Sequence, residues 1–481
     1  MITVAALGTI SFLLGMALTP LFRTLALRWD LVDHPDDSRK QHRVPTPRIG
    51  GVAVVMAYAG ALLLVFLFTP NVERPHVQHL ELLKAMLPGA AIIFITGLLD
   101  DLMGLRPIQK LAGEVVGAAL ALGLGMHFTP GGFPFAAGHP WLQHAWVALP
   151  LSLLWLVVCT NAVNLIDGLD GLAAGVGLFA SVATLLLGVF TARPGLVLAT
   201  MPLVGALLAF LVYNFEPASI FLGDSGSLTV GFMLGVFSLV WSQGTSSLSG
   251  FAAPLMVLAL PLLDVLLAIA RRYLRRVPIF GADRGHIHHI VQARGFKPRH
   301  TALILYGVCA VAASLALLQT IDFRVVRYTV LLVFVALAAA GIRYLNYVEL
   351  GAARRAFSRQ HIRRMVRDDL YLAELDRRLS GARSIEALWE HTCAICSDMH
   401  FVTVIMFFEG HYFKTLLDRS AEDKAWEITL PLGESGYLRL NRSTDNTPPP
   451  VMMQALQKLQ TALAQREGRH AAGSMSISDA A

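Results

Sequence analysis

Apolar runs of about 20 residues recur along the first 346 positions, separated by short polar connections. They lie near 2–26, 50–69, 83–99, 108–127, 145–163, 170–191, 195–213, 225–242, 250–270, 301–320 and 325–346. The pattern predicts eleven helices long enough to cross a bilayer. Past Ile342 it changes. From Gly351 to Gly381 charged residues dominate, with apolar ones at Phe357, Ile362, Met365, Val366, Leu370, Leu375 and Leu379, a helical spacing. Ile385–His400 predicts a further helix, and Phe401–Phe408 with Tyr412–Leu417 a hairpin turning at Glu409–Gly410. Ile428–Leu432 with Tyr437–Asn441 predicts a second hairpin, and Pro448–Pro450 opens a last helix to about Gln465.

The expected fold is an α-helical polytopic membrane protein of about eleven transmembrane helices with a small cytoplasmic α+β C-terminal domain. Its parts are a membrane domain over 1–346, a juxtamembrane helical linker over 347–383, an α+β domain over 384–467 and a disordered tail over 468–481.

Composition sharpens the class. Of the 481 residues 55% are hydrophobic and only 15% charged, with a mean hydropathy of +0.58. Four cysteines imply no disulfide framework. The first positive charge is Arg23, so the first apolar run reads as a retained span and not as a cleaved signal. The net charge of +6 is spread over loops; no stripe suited to nucleic acid appears. Connections after odd-numbered spans carry sixteen Lys and Arg and those after even-numbered spans five. The positive-inside rule then puts the odd connections and the C-terminal region in the cytoplasm, and the N-terminus outside.

Every chemically loaded stretch falls on that same face. In order these are R-K-Q-H-R-V-P-T-P-R-I-G-G (39–51), D-D-L-M-G-L-R-P-I-Q-K (100–110), N-A-V-N-L-I-D-G-L-D-G (161–171), N-F-E-P-A-S-I-F-L-G-D-S-G-S (214–227) and the basic loop 271–299 with R-G-H-I-H-H. Carboxylates are expensive inside a bilayer, so Asp167 and Asp170 belong at its surface or in a wet cavity. Asp100 and Asp101 suit metal binding, a raised pKa or a general base, or a plain helix end. Lys110 either serves the site or pairs with Glu114 one turn on. Asp224 lies between Gly223 and Gly226, where backbone amides opening a helix form an anion cradle and the carboxylate suits Mg²⁺ on a phosphate. Asn164 offers an amide oxygen to the same ion. His286, His288 and His289 beside Arg284 suit phosphate better than zinc, lacking Cys or carboxylate at ligand spacing. Asp264, inside a span, stays open between a structural pairing and sugar binding.

This set of motifs resembles the polyprenyl-phosphate N-acetylhexosamine-1-phosphate transferases (glycosyltransferase family 4). Five motifs in family order cover roughly residues 1–346, and the WecA/TagO-like branch fits best. The resemblance implies transfer of a HexNAc 1-phosphate, GlcNAc first among them, from a UDP-sugar to undecaprenyl phosphate with release of UMP. It implies Mg²⁺ as cofactor, with Mn²⁺ as a substitute. Asp224 is then the main metal ligand and Asn164 a second. Asp100 and Asp101 orient or deprotonate the lipid phosphate, and Lys110 contacts the donor pyrophosphate. Asp167 and Asp170 meet uridine and ribose, Phe221 stacks on uracil, and Asn214, Arg284, His286, His288 and His289 complete the shell. The expected setting is the bacterial inner membrane, with a homodimer as a possible assembly.

Two other readings compete. The phospho-MurNAc-pentapeptide translocase is a related enzyme, but it carries three adjacent histidines where Ile287 interrupts them here. A transporter with a regulatory tail would also place charge in a membrane domain. No repeat relates two halves of this chain, and its polar motifs gather at one face. Cys393 and Cys396 sit in a helical pattern without a partner pair and read as buried thiols.

Overall fold

The computed structural model describes residues 2–33, 45–68, 80–128, 144–243, 248–275, 285–321, 323–345, 347, 359–382, 384–408, 410–418, 425–432, 436–443 and 451–463. The first half of the 39–51 motif, Arg284 and the tail 468–481 lie outside them. The chain divides into two compact units, Met1–Glu349 and Leu350–Ala481.

In the first unit all eleven predicted apolar segments are helical. They are α1 (Ile2–Arg28), α2 (Gly50–Phe68), α3 (Glu81–Met103), α4 (Pro107–Gly123), α5 (Ala145–Ile166), α6 (Leu172–Phe190), α7 (Pro194–Asn214), α8 (Gly223–Ser242), α9 (Leu248–Val257) with α10 (Ala259–Arg275), α12 (Pro298–Leu318) and α13 (Arg324–Leu345). The short α11 (Ile287–Ala293) precedes α12. Among the described residues nine of these are long and apolar enough to span, ten if the bent pair α9–α10 counts as one. The expected eleven segments differ from these spans at two places. Helix α4 has 17 residues, about 25 Å of rise, at the short end of what crosses a bilayer. The run 250–270 is bent by 78° between α9 and α10. Pro261 has no N–H for the carbonyl of Val257, which permits the bend without forcing it, since Pro88, Pro150 and Pro202 lie inside unbroken helices.

The bundle is organised around α8, which is buried along nearly its whole length and packs against α3, α5 and α2. Small residues permit this. A Cβ on Gly97 of α3 would lie 2.7 Å from the Cα of Ser225, so only glycine lets the two backbones approach this closely.

The polar connections close over the start of α8. Two-residue strands β1 (Val32–Asp33) and β2 (Thr46–Pro47) pair antiparallel. The Pro47 carbonyl then accepts from the Phe221 amide at 2.7 Å. The first amides of α2 have no partner within their own helix; Gly50 N–H donates to Phe221 O (3.0 Å) and Gly51 N–H to Leu222 O (2.7 Å). Residues 45–51 are thereby clasped to the loop that carries Asp224.

The second unit holds helices α14 (Arg359–Gly381) and α15 (Ile385–Asp398), then β3 (Phe401–Phe408), β4 (His411–Leu416), β5 (Ala425–Leu432) and β6 (Gly436–Ser443). A helix over 452–463 follows. The sheet is antiparallel with order β4-β3-β6-β5. Alternate residues Val404, Met406 and Phe408 of β3 and Leu438 and Leu440 of β6 point to one face, where Leu375, Leu388, Ile395, Leu456 and Leu459 of the helices cover them. Cys396 is fully buried in this core and Cys393 partly; both are free thiols. The α+β reading of the tail is the observed one.

Candidate active site

Four helix ends converge: the C-termini of α3 and α5 and the N-termini of α4 and α8. Helix α3 stops at Gly104, whose left-handed backbone (φ 68°) lets its N–H return to Asp100 O. The turn is held from within, because Asp100 Oδ1 accepts from the Leu105 amide at 2.7 Å. Pro107 then starts α4 at its first position, where a missing N–H costs nothing. The sharp α3–α4 corner brings Lys110 back over Asp100, with Nζ 3.1 Å from Asp100 Oδ2.

The Lys110 ammonium is the hub. It donates to Asp224 Oδ2, to Asp100 Oδ2 and to Asn164 Oδ1 at 3.3 Å. Asn164 Nδ2 in turn donates to Asp224 Oδ1 and Ser227 Oγ, both at 2.9 Å. Lys110 therefore serves the site and not the pairing with Glu114 that its spacing allowed. Glu114, buried on the next turn of α4, accepts from Asn161 Nδ2.

Asp101 differs from its neighbour. It is buried, and its two oxygens accept from the Asp224 amide (2.8 Å) and the Ser225 amide (2.9 Å). Its own carbonyl accepts from Arg48 Nε (3.1 Å) and Nη2 (2.7 Å). The anion cradle expected at the opening of α8 is thus filled from inside the protein, and these two amides are not offered to a ligand. Gly223 takes φ +71°, and a Cβ there would lie 2.8 Å from Asp101 Oδ2. The glycine before Asp224 is needed for this cap.

The remaining expected residues form a second ring. Asp167 follows the end of α5; burial and the nearby charges of Asp224, Asp101 and Asp170 push its carboxyl well above the usual range. Asp170 Oδ2 accepts from the Ala218 amide at 2.8 Å. Buried Asn214 donates to Ile220 O at 2.8 Å, so it shapes the 215–222 loop. Phe221, half-buried, is placed in that loop by its backbone bonds to Pro47 and Gly50. Asp264, left open by the sequence, is structural: it pairs with His286 Nδ1 at 2.7 Å and accepts from the Ile287 amide at 2.7 Å.

His288 lies between the histidines and the 161–171 motif. Its ring packs on Gly168, where a Cβ would come within 2.8 Å of Nε2, and its centroid is 4.1 Å from that of His289. Both ring nitrogens are buried without a hydrogen-bond partner among the described residues. Burial, with the neighbouring His289, lowers its pKa to about 3. The unfolded chain therefore takes up one more proton below about pH 6.5, and stability falls as pH drops from there toward 3. Thermal unfolding in detergent at pH 7.5 and 5.0 is expected to show the wild type losing about 2 kcal/mol more than His288→Gln. The raised Asp167 acts in the opposite direction but equally in both proteins. An identical pH response of the two would refute the buried, neutral histidine.

The donor set suits a hard divalent cation. Asp100 Oδ2, Asp224 Oδ2 and Asn164 Oδ1 converge on one cationic atom, the Lys110 ammonium, and oxygen ligands including one or two carboxylates are what Mg²⁺ takes beside substrate phosphates. Among the described residues no three His, Cys, Asp or Glu side chains gather as a metal site. Arg48, Asn161, Glu114 and Ser227 are the site neighbours that the sequence reading left without a role. Arg48, Asn161 and Ser227 lie inside the motifs, which hinted at them; Glu114 lies in none.

Comparison with known proteins agrees with this picture. The profile of Glycosyl transferase family 4 matches residues 83–242, the stretch from α3 to α8. A Bacillus subtilis (strain 168) protein named "Probable undecaprenyl-phosphate N-acetylglucosaminyl 1-phosphate transferase" is 33% identical over 307 residues, covering 64% of this chain and 82% of that protein. The decaprenyl-phosphate N-acetylglucosaminephosphotransferase of Mycobacterium leprae (strain TN) is 34% identical, over 64% of this chain and 83% of its own. The undecaprenyl-phosphate alpha-N-acetylglucosaminyl 1-phosphate transferase of Escherichia coli (strain K12) is 27% identical, over 65% and 83%.

Proposed function

Because the chain belongs to glycosyl transferase family 4, as a multi-pass membrane glycosyl-1-phosphate transferase, we propose that it moves N-acetylglucosamine 1-phosphate from UDP-GlcNAc to undecaprenyl phosphate. UMP is the second product, and the step opens a cell-surface polysaccharide pathway. The site faces the cytoplasm, where the nucleotide sugar is, and the acceptor phosphate reaches it from the bilayer. The observation that carries this reading is the convergence of Lys110, Asp100, Asp224 and Asn164 at four helix ends. Phosphoryl transfer needs positioning and charge neutralisation more than covalent chemistry, and these groups supply both.

Asp224, Asn164 and Asp100 would hold Mg²⁺ through their oxygens. When bound, the ion supplies positive charge at the donor diphosphate. Lys110 adds a second positive charge for the phosphate oxygens and the departing UMP. Asp101 does not meet the substrate; it fixes the first turn of α8 and so aims Asp224. Asp170 and Asn214 hold the 215–222 loop beside Asp167 at the expected nucleotide end. The acceptor phosphate is a monoester with a second pKa of ~6, already an oxygen nucleophile at neutral pH. It attacks the β-phosphorus as the bond to the UMP oxygen breaks, without an enzyme-bound sugar phosphate. Both Asp100 oxygens are engaged, by Leu105 N–H and by Lys110, which fits restraint of the site and not nucleophilic attack by this carboxylate.

The test is incubation of membranes containing the protein with undecaprenyl phosphate, Mg²⁺ and a panel of labelled UDP-sugars. A lipid-linked GlcNAc diphosphate product is expected; label entering the lipid only from another UDP-sugar would overturn the choice of GlcNAc. A second expectation concerns the tail. All site groups lie in the first unit, where Tyr347 still contributes through its hydroxyl on Gly285 O (3.3 Å). A chain ending after Glu349 is expected to keep transfer within about threefold of the full chain in detergent. Loss of turnover in a folded, monodisperse truncation would show that the α+β unit completes the enzyme.

A further inference from the structure

The site holds a cation of its own. Three oxygens, from Asp100, Asp224 and Asn164, surround the Lys110 ammonium, and they are the oxygens assigned above to a divalent ion. An ammonium and a divalent cation cannot share that point, since like charges in contact inside a poorly solvated site repel strongly. Metal binding must therefore move Lys110.

A second position for it exists on the same helix. Glu114 follows Lys110 by four residues, the spacing at which helix side chains meet, and a helical side chain leans back toward the N-terminus and so toward Lys110. Glu114 is 1% exposed, and the hydrogen bond it accepts comes from a neutral amide, Asn161 Nδ2. A positive partner would offset the desolvation of a buried carboxylate here. The polar groups of α5 keep step: Asn164 lies at the ammonium, and Asn161, three residues earlier, at Glu114. Each helix thus offers one polar group at the cage and one a turn deeper.

We propose that Lys110 is a displaceable stand-in for the metal: its ammonium fills the Asp100/Asp224/Asn164 cage while no divalent ion is bound, passes to Glu114 when the ion enters without nucleotide, and turns to the donor phosphates once these bind. This rests on the metal reading above. Its consequence is that the empty enzyme resists divalent ions and keeps its carboxylates neutralised between turnovers. Glu114, which no motif includes, becomes a positioning residue for Lys110. If the lysine occupies the cage nine-tenths of the time or more, the apparent metal affinity is lowered about tenfold or more.

The experiment is Mn²⁺ binding to the full-length protein in detergent without nucleotide, followed by the EPR signal of free Mn²⁺. Lys110→Met is expected to bind Mn²⁺ at least about tenfold more tightly than the wild type, with Lys110→Gln giving the same comparison should the first variant not fold. Glu114→Gln is expected to weaken Mn²⁺ binding, because the displaced ammonium loses its acceptor. In the Lys110→Met background the same Glu114→Gln change should have little effect. A simple field effect of Glu114 would weaken binding equally in both backgrounds, and that result overturns the proposal. So does unchanged or weaker binding in both Lys110 variants. Asp224→Asn separates the premises: if it binds Mn²⁺ as the wild type does, or if the wild type binds none, the metal reading fails and the exchange with it.

Discussion

Asp224→Asn is expected to lower kcat/KM by at least about 10³-fold while the protein inserts and folds as before. The side chain keeps its shape and loses its charge. One of its oxygens holds the Lys110 ammonium and the other takes the Asn164 amide, so the substitution disturbs both and removes a ligand from the proposed metal site. A 10³-fold loss corresponds to about 4 kcal/mol of transition-state stabilisation, the size seen when a charged or oriented group at a reacting centre is removed. The check is the transfer rate of the purified variant at saturating Mg²⁺, alongside its melting temperature and elution profile. Activity above a tenth of the wild type would exclude Asp224 from the chemistry.

Asp101→Ala is expected to have the second largest effect, through structure. One buried and one part-buried amide at the opening of α8 lose their acceptor, at about 1–3 kcal/mol for each stranded group. The destabilisation should be about 2–6 kcal/mol, and the misplaced Asp224 should take activity with it. Asp101→Asn keeps one carbonyl oxygen and should fall between the two. Asp100→Ala, whose carboxylate holds one turn amide and the half-buried Lys110 ammonium, should destabilise less than Asp101→Ala. Unfolding of the variants side by side tests the ranking. Equal melting of Asp100→Ala and Asp101→Ala would contradict the division of labour between these adjacent carboxylates.

That division was invisible in the sequence. D-D at a span end reads as a pair, and either residue could serve a metal, a proton or a helix end. Which one turns inward depends on the helical rotation that places Asp101 under α8 and Asp100 toward Lys110. The glycine-rich opening of α8 reads as a cradle for an anion; its amides are in fact taken by Asp101, a residue 123 positions away from Asp224. The i,i+4 spacing of Lys110 and Glu114 permits a pair, yet the α3–α4 corner brings two other carboxylates, Asp100 and Asp224, onto the lysine.

What the sequence determined by itself was everything governed by local solvent preference and covalent spacing. Twenty-residue apolar runs must be helices where no water can satisfy the backbone, so the membrane-embedded segments and the α+β tail were legible, as was the clustering of polar motifs on one face. The family followed from those motifs. Tertiary structure alone decided the break in 250–270, the structural pairing of Asp264 with His286, the inward cap made by Asp101 and the meeting of Lys110 with Asp224. These depend on which helix faces which, and that is set by close packing of small residues such as Gly97 against α8. Packing is a property of surfaces brought together from distant parts of the chain. No periodicity within a single segment records it.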